Sequence, residues 1–239
     1  MGHMSPLPAR LLSLPEEWTL LSLTDSGKVR DSNQAVVGCV AAELGELALR
    51  RKLLVRSRKF KIFGFDGYRT SPAEIQVIDT SRAGLPWADE LLADLERRRV
   101  SEQRLSLGQW LRQRREAFSL HLDALAERGV LRRAPGTRSV PFRFLSSERY
   151  YPDPAVRDTL IAELRAAGSG QNQLDEHMVF LSDLVSSSLL NKDLGIELRV
   201  SQRLDRGRGV GTVGSVPEDL RHTSAVLASS VPKNRRYQG

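Results

Sequence analysis

One cysteine, Cys39, stands in 239 residues, so no internal disulfide can form, in keeping with a reducing compartment. It falls inside an apolar stretch, where a buried thiol is expected. Aromatic residues are only 6% of the chain, too few for the stacking platform of a single-strand nucleic-acid binder. No run approaches the ~18 consecutive apolar residues of a spanning helix, so any membrane contact is expected to be peripheral. No signal peptide is recognisable; Met1 to Met4 read as an expression-vector remnant, and residues 1–10 as a flexible start. The four histidines, His3, His121, His177 and His222, lie apart with no second His or Cys at ligand spacing, and neither a metal nor a cofactor is expected. No nucleophile elbow, Walker loop or kinase set occurs. Gly209, Gly211 and Gly214 spell G-x-G-x-x-G, but no βαβ unit follows, so a mobile linker is expected. Asp175-Glu176-His177 reads as helix capping rather than acid/base chemistry. The chain is expected to be non-catalytic.

What is present is positive charge: 36 Lys and Arg against 29 Asp and Glu, a net +7, with a pI near 10.0. Such a surface attracts polyanions, nucleic acid and anionic lipid alike. Hydrophobic residues at 40% and charged residues at 27% suit an ordinary globular domain, and their even spread favours one domain over 11–231.

The charge is concentrated around Val36 to Phe65, a stretch that changes character halfway. Val37, Val40, Ala41, Leu44 and Ala48 mark one face of a helix, and Gly38, Ala42 and Gly45 a neighbouring stripe without bulk, where another helix can approach closely. A central packing helix is expected. From Arg50 to Lys61 the chain carries Arg50, Arg51, Lys52, Arg56, Arg58, Lys59 and Lys61 with no acid among them. Interleaved apolar residues make this an extended basic ribbon, with Asp66-Gly67 as a turn and Ala73 to Ile78 as a strand.

Elsewhere the pattern is helical. A first helix is expected over Pro15 to Leu23 behind a Ser13 cap, another over Pro86 to Arg99, and a long one from Ser106 to Arg128 with Arg112 and Arg115 sharing a face. Gly129 ends that helix, and a second basic ribbon follows, turning at Pro135-Gly136 and returning through Val140 to Phe144. Helices are expected again over Pro154 to Ala167, Asp175 to Leu190, Asn191 to Leu204 and Pro217 to Val231, with a disordered basic tail over 232–239. Twice, a helix runs into a basic hairpin, as in winged helices, so nucleic-acid binding is a second functional reading.

Three ordered stretches carry a family resemblance: Leu14-Pro15-Glu16-Glu17 with Leu20-Leu21-Ser22-Leu23; Glu46-Leu47-Ala48-Leu49-Arg50-Arg51-Lys52-Leu53; and Leu125-Ala126-Glu127-Arg128-Gly129-Val130-Leu131. In order and spacing they resemble the Golgi phosphoprotein 3 family, and the Arg- and Ala-rich composition resembles its actinobacterial members. The resemblance implies a mainly α fold: a single helical domain with a core helical bundle, outer amphipathic helices and a small β-hairpin. It implies a peripheral membrane protein that in eukaryotes recognises phosphatidylinositol 4-phosphate and acts as an adaptor for glycosyltransferases.

The family's pocket tryptophan and first arginine fall near Asp31 and Val40, where neither residue type stands. Its two arginines three apart match Arg112 and Arg115 in spacing, whereas counting back from Gly129 pairs Arg115 and Phe118. Its hydrophobic hairpin corresponds to Arg132 to Leu145. Taken together, these expectations describe a cytoplasmic protein that docks on anionic phospholipid or phosphoinositide headgroups and presents another face to a client protein. Arg112 and Arg115 would contact phosphate, helped by Arg56, Arg58, Lys59 and Lys61; Arg138 and Arg143 would assist from the second ribbon, with Phe142 and Phe144 inserted shallowly.

Overall fold

The computed structural model describes residues 12–62, 65–102, 104–135, 148–169, 174–198 and 216–233, with backbone alone for 58–62 and 65–71. The expected N-terminal remnant, the glycine-rich stretch 207–214 and the tail from 234 lie outside the described residues. The chain opens with α1 (Leu14–Leu21). The Glu16 carboxylate accepts the Ser13 N–H at 2.7 Å, so an acid near the positive end of the helix also satisfies an orphan donor. Then comes α2 (Ser32–Leu49), which starts where the Asp31 carboxylate accepts the Gln34 N–H at 3.0 Å.

Helix α2 is the centre of the molecule. Val40, Ala41, Leu44, Leu47 and Ala48 have no exposed surface, and the stripe of small residues is used as the sequence suggested. The Trp18 indole lies directly on Gly38, and Leu14 and Phe180 close on Gly45. Trp18 then donates its indole N–H to the Ala35 carbonyl at 3.0 Å, so this large aromatic is buried without an unsatisfied donor. The helix stops at Arg50, and Arg51 takes a left-handed conformation (φ 61°) that turns the chain outward.

The first ribbon is an antiparallel hairpin of β1 (Leu53–Ile62) and β2 (Phe65–Val77), joined by a short β3 (Leu105–Ser106) in the order β1-β2-β3. Asp66 and Gly67 are not its turn. They sit within β2 opposite Lys61 and Phe60, and the strands close on the Ile62–Phe65 pair. The sequence signal misled because a turn dipeptide is tolerated beside a register irregularity, and one separates Ser57 from Lys59.

Helix α3 (Pro86–Glu102) follows. The expected helix over Ser106 to Arg128 is two helices, α4 (Leu107–Gln113) and α5 (Ala117–Glu127), broken where Arg114 adopts φ −84° and ψ 60°. Gly129 caps α5 with φ 74° as expected. The second ribbon pairs β4 (Leu131–Pro135) with β5 (Glu148–Pro152) in antiparallel register. The expected return through Val140 to Phe144 lies outside the described residues.

The remaining elements are α6 (Pro154–Ser169), α7 (Glu176–Ser187), α8 (Leu190–Asp193) and α9 (Glu218–Ser230). Asp175 caps α7 by accepting the Met178 N–H at 2.7 Å, as expected, while Glu176 in the first turn pairs with Arg51 at 2.7 Å. The helix expected over Asn191 to Leu204 breaks after Asp193, because Gly195 (φ 62°) turns the chain and Ile196 buries as coil, and its last six residues lie outside the described residues. Helices α1, α5, α7 and α9 pack around α2, and α9 also lies along β1 and β2. Pro232, expected in the tail, is tied down: its carbonyl accepts Gln34 Nε2 at 3.1 Å. The fold is mainly α with two small antiparallel sheets.

Two predictions follow from this packing. Gly38→Ala forces a methyl group into the Trp18 ring and should cost about 3 kcal/mol, the upper part of the overpacking range, in urea denaturation. Asp79 is held down at about 2, first by hydrogen bonding from Lys52 and then from Ser81. A depressed carboxylate stabilises above its ordinary range near ~4 and loses that contribution as pH falls toward its folded value. Asp79→Asn should therefore flatten the acid limb of the stability profile between those limits.

Candidate functional site

The break between α4 and α5 positions the cations that the sequence singled out. Arg112 belongs to the last turn of α4 and Arg115 to the break; both side chains are exposed. Arg115 Nε donates to the Arg112 carbonyl at 3.3 Å. Neither guanidinium has a carboxylate within ion-pair distance among the described residues. The two are adjacent, but they do not share the face of one long helix as expected.

Arg114 stands between them. Its guanidinium turns inward and grips the Glu43 carboxylate of α2 in bidentate fashion, Nε to Oε2 at 2.7 Å and Nη2 to Oε1 at 3.1 Å. Glu43 has no exposed surface and Arg114 only 16%. Burial alone would pull the Arg114 pKa down, yet the hydrogen bonds and charge of Glu43, with Glu116 and Asp94 behind them, outweigh it and raise it. His121 of α5 reaches the same Oε1 at 3.2 Å, and its ring meets the Trp87 ring edge-on at 5.0 Å. The helix breaks at Arg114 because its backbone leaves helical geometry, with ψ at 60°.

Two side chains that the sequence reading left out complete the surroundings. Arg98 of α3 stacks on Trp110 at 4.9 Å from the ring centre and donates to Gln113. Arg98 also pairs with Asp94 at 3.5 Å. Trp110 is 3% exposed, and its indole N–H is buried with no hydrogen-bond partner among the described residues. Glu43, an acid in the middle of an apolar helix, was the available signal for a buried cation elsewhere; nothing in the spacing tied it to Arg114.

The other expected site residues are distributed differently. Arg56, on β1, donates to Asp219 of α9 at 2.7 Å, so part of its charge is spent within the molecule. Arg58, Lys59 and Lys61 fall on β1, where only the backbone is described. Arg138, Phe142, Arg143 and Phe144 lie outside the described residues. Asp31 and Val40, near which the resemblance puts the family's remaining pocket residues, are committed to the fold: Asp31 caps α2 and Val40 is fully buried. Phe118, the alternative to Arg112 as partner of Arg115, is 6% exposed and packs in the core.

Of the groups sometimes used for catalysis, Cys39 is buried, and burial pushes its thiol well up, which suits the packing role expected of it. Among the described residues no cluster of His, Cys, Asp or Glu is arranged to hold a metal ion. No helix among them is long and apolar enough to cross a membrane.

The Glu43–Arg114 pair yields a testable consequence. Glu43→Ala leaves a mostly buried guanidinium without its counter-ion and should cost about 3–5 kcal/mol, whereas Glu43→Leu combined with Arg114→Met should recover most of that loss in chemical denaturation.

Comparison with curated proteins gives no match to this chain. Comparison with protein families matches the description Golgi phosphoprotein 3 (GPP34) over residues 14–225, from the first turn of α1 into α9. That range takes in the α2 core and the break that carries Arg112 and Arg115, and the chain belongs to the Golgi phosphoprotein 3 family.

Proposed function

We propose that this protein is a non-catalytic peripheral membrane protein of the cytoplasm that docks on anionic phospholipid headgroups, phosphoinositides among them, through Arg112 and Arg115. The observation that carries this reading is the pair itself: two adjacent exposed guanidiniums without an acid among the described residues, beside an Arg114 locked to buried Glu43. A guanidinium left without an internal counter-ion keeps its fork of donors available for phosphate. The anchored Arg114 limits how far its neighbours move, so less ordering is lost on binding.

Support from elsewhere on the surface is cumulative. Each cation near an anionic membrane contributes about 1 kcal/mol, falling with salt. Arg58, Lys59 and Lys61 would add to the attraction, with Arg56 adding less because Asp219 engages it. Arg138 and Arg143 would add theirs from residues 136–147, with Phe142 and Phe144 supplying shallow insertion. The adaptor role follows as a coarser extension: a membrane-bound face leaves the opposite face open to a client protein.

The winged-helix reading loses support from two observations. Helix α2, which precedes the first basic hairpin, is buried almost throughout. Helix α5, which precedes the second, exposes Asp123 and Glu127, the wrong sign for a helix in a DNA groove.

Co-sedimentation with liposomes tests the lipid reading. The protein should pellet with anionic vesicles, more so at low salt. Arg112→Glu with Arg115→Glu should weaken partitioning at least about thirtyfold, the equivalent of two contacts of ~1 kcal/mol, with an unchanged circular dichroism spectrum. Unchanged pelleting of that variant would remove the pair from the site.

A further inference from the structure

The outer edge of β1 raises a question that lipid binding leaves unanswered. With the sheet in the order β1-β2-β3, β1 has no strand on its far side among the described residues. Such an edge offers a row of N–H and C=O groups to any extended chain.

Helix α9 supplies partners to the inner half of this edge. The Val55 N–H donates to Thr223 Oγ1 at 3.1 Å, and the same hydroxyl returns a bond to the Val55 carbonyl at 3.4 Å. The Ser57 N–H reaches His222 Nε2 at 3.4 Å, and Asp219 takes the intervening Arg56. Side chains of α9 thus stand in for an added strand: donor and acceptor for the backbone, and a carboxylate for the cation.

Beyond the register shift after Ser57, α9's described contacts to the β1 backbone end while the strand continues. The Ile62–Phe65 pair closes the hairpin and Phe60 stands opposite Gly67. Closing pairs of a two-residue hairpin exchange hydrogen bonds, and the exchange alternates along the ladder. Lys59 and Lys61 therefore turn their N–H and C=O groups to the outer edge. In sequence this half-strand carries Arg58, Lys59 and Lys61 without an acid. A second copy of the chain would bring like charges face to face, which disfavours self-pairing. An acidic strand meets complementary charge, as Asp219 meets Arg56.

We propose that the outer edge of β1 from Lys59 to Lys61 accepts an extended acidic segment of a partner protein as an added strand, extending outward what α9 provides at Val55 to Ser57. Backbone pairing supplies the affinity and the cations select the sign of the partner. Arg112 and Arg115, which carry the headgroup reading, are on another element, and Lys59 and Lys61 only add to that reading.

The test uses the full chain and a fluorescein-labelled peptide of alternating glutamate and valine, read by fluorescence anisotropy. The acidic peptide should bind and its lysine-for-glutamate counterpart should not. N-methylation of alternate peptide amides on the pairing side should weaken binding about tenfold, as expected for the loss of one or two hydrogen bonds. Lys61→Pro removes an outward N–H while leaving the inner ladder intact, and should weaken binding about tenfold more than Lys61→Gln. Three results overturn the proposal: no binding of the acidic peptide at millimolar concentration, equal binding of the methylated peptide, or a dimer of the chain that Lys61→Pro dissolves. If Lys61→Pro disturbs the fold, the methylated peptide on the unaltered protein still decides. Vesicle binding by the Arg112→Glu, Arg115→Glu variant reports on the lipid site alone, so the two readings fail separately.

Discussion

From Gly38 to Ala48 every residue of helix α2 is buried, and an enclosed helix must answer for every polar atom it carries into the core. Two carboxylates go in with it. Glu46 accepts the Leu14 N–H at 3.0 Å and Arg50 Nε at 2.8 Å, which fixes where α1 begins and where α2 ends. Glu43 is answered by Arg114 and His121, which ties α5 and the residue that follows α4 to α2. Buried acids therefore act here as registers for the surrounding helices. Glycine contributes the complementary constraint: Gly38 and Gly45 admit the Trp18 and Phe180 rings to the helix surface and so set how closely α1 and α7 approach.

The electropositive surface is a by-product of the same arrangement. Where an acid is available, a cation is consumed: Arg114 by Glu43, Arg51 by Glu176, Arg56 by Asp219, and Arg128 by Glu16 at 2.5 Å. Arg112 and Arg115 project outward beside the consumed Arg114. The two guanidiniums, three residues apart, stand side by side at the break between α4 and α5. A net positive chain that pairs many of its cations internally concentrates its functional charge in the few it leaves without an acid.

The ribbon shows the same economy in backbone hydrogen bonds. An edge strand that would otherwise expose its inner half to water or to another chain is covered there by Thr223 and His222 of α9. The cover depends on α9 lying along β1 while it packs against α2 and α7, so the last helix is tied to both the core and the sheet.

Much of this was legible in the sequence, because it depends on local rules. The cap at Ser13, the stop at Gly129 and the acids ahead of α7 follow from the orphan backbone groups of helix ends. The small-residue stripe of α2 follows from the spacing of its residues. The helical class of the chain follows from the period of its apolar positions, and the family from three ordered motifs along its length. Tertiary structure decided the rest. The spacing of Leu107, Leu111, Phe118, Leu122 and Leu125 fits one unbroken helix, and nothing local shows either the break at Arg114 or that its guanidinium pairs with Glu43, some seventy residues earlier in the chain. Asp66-Gly67 has the composition of a turn, but the pairing register of two strands placed the turn elsewhere. Local propensity operates over a few residues, whereas a buried charge must find its partner wherever the fold brings one, and that pairing is decided only when the chain has closed around it.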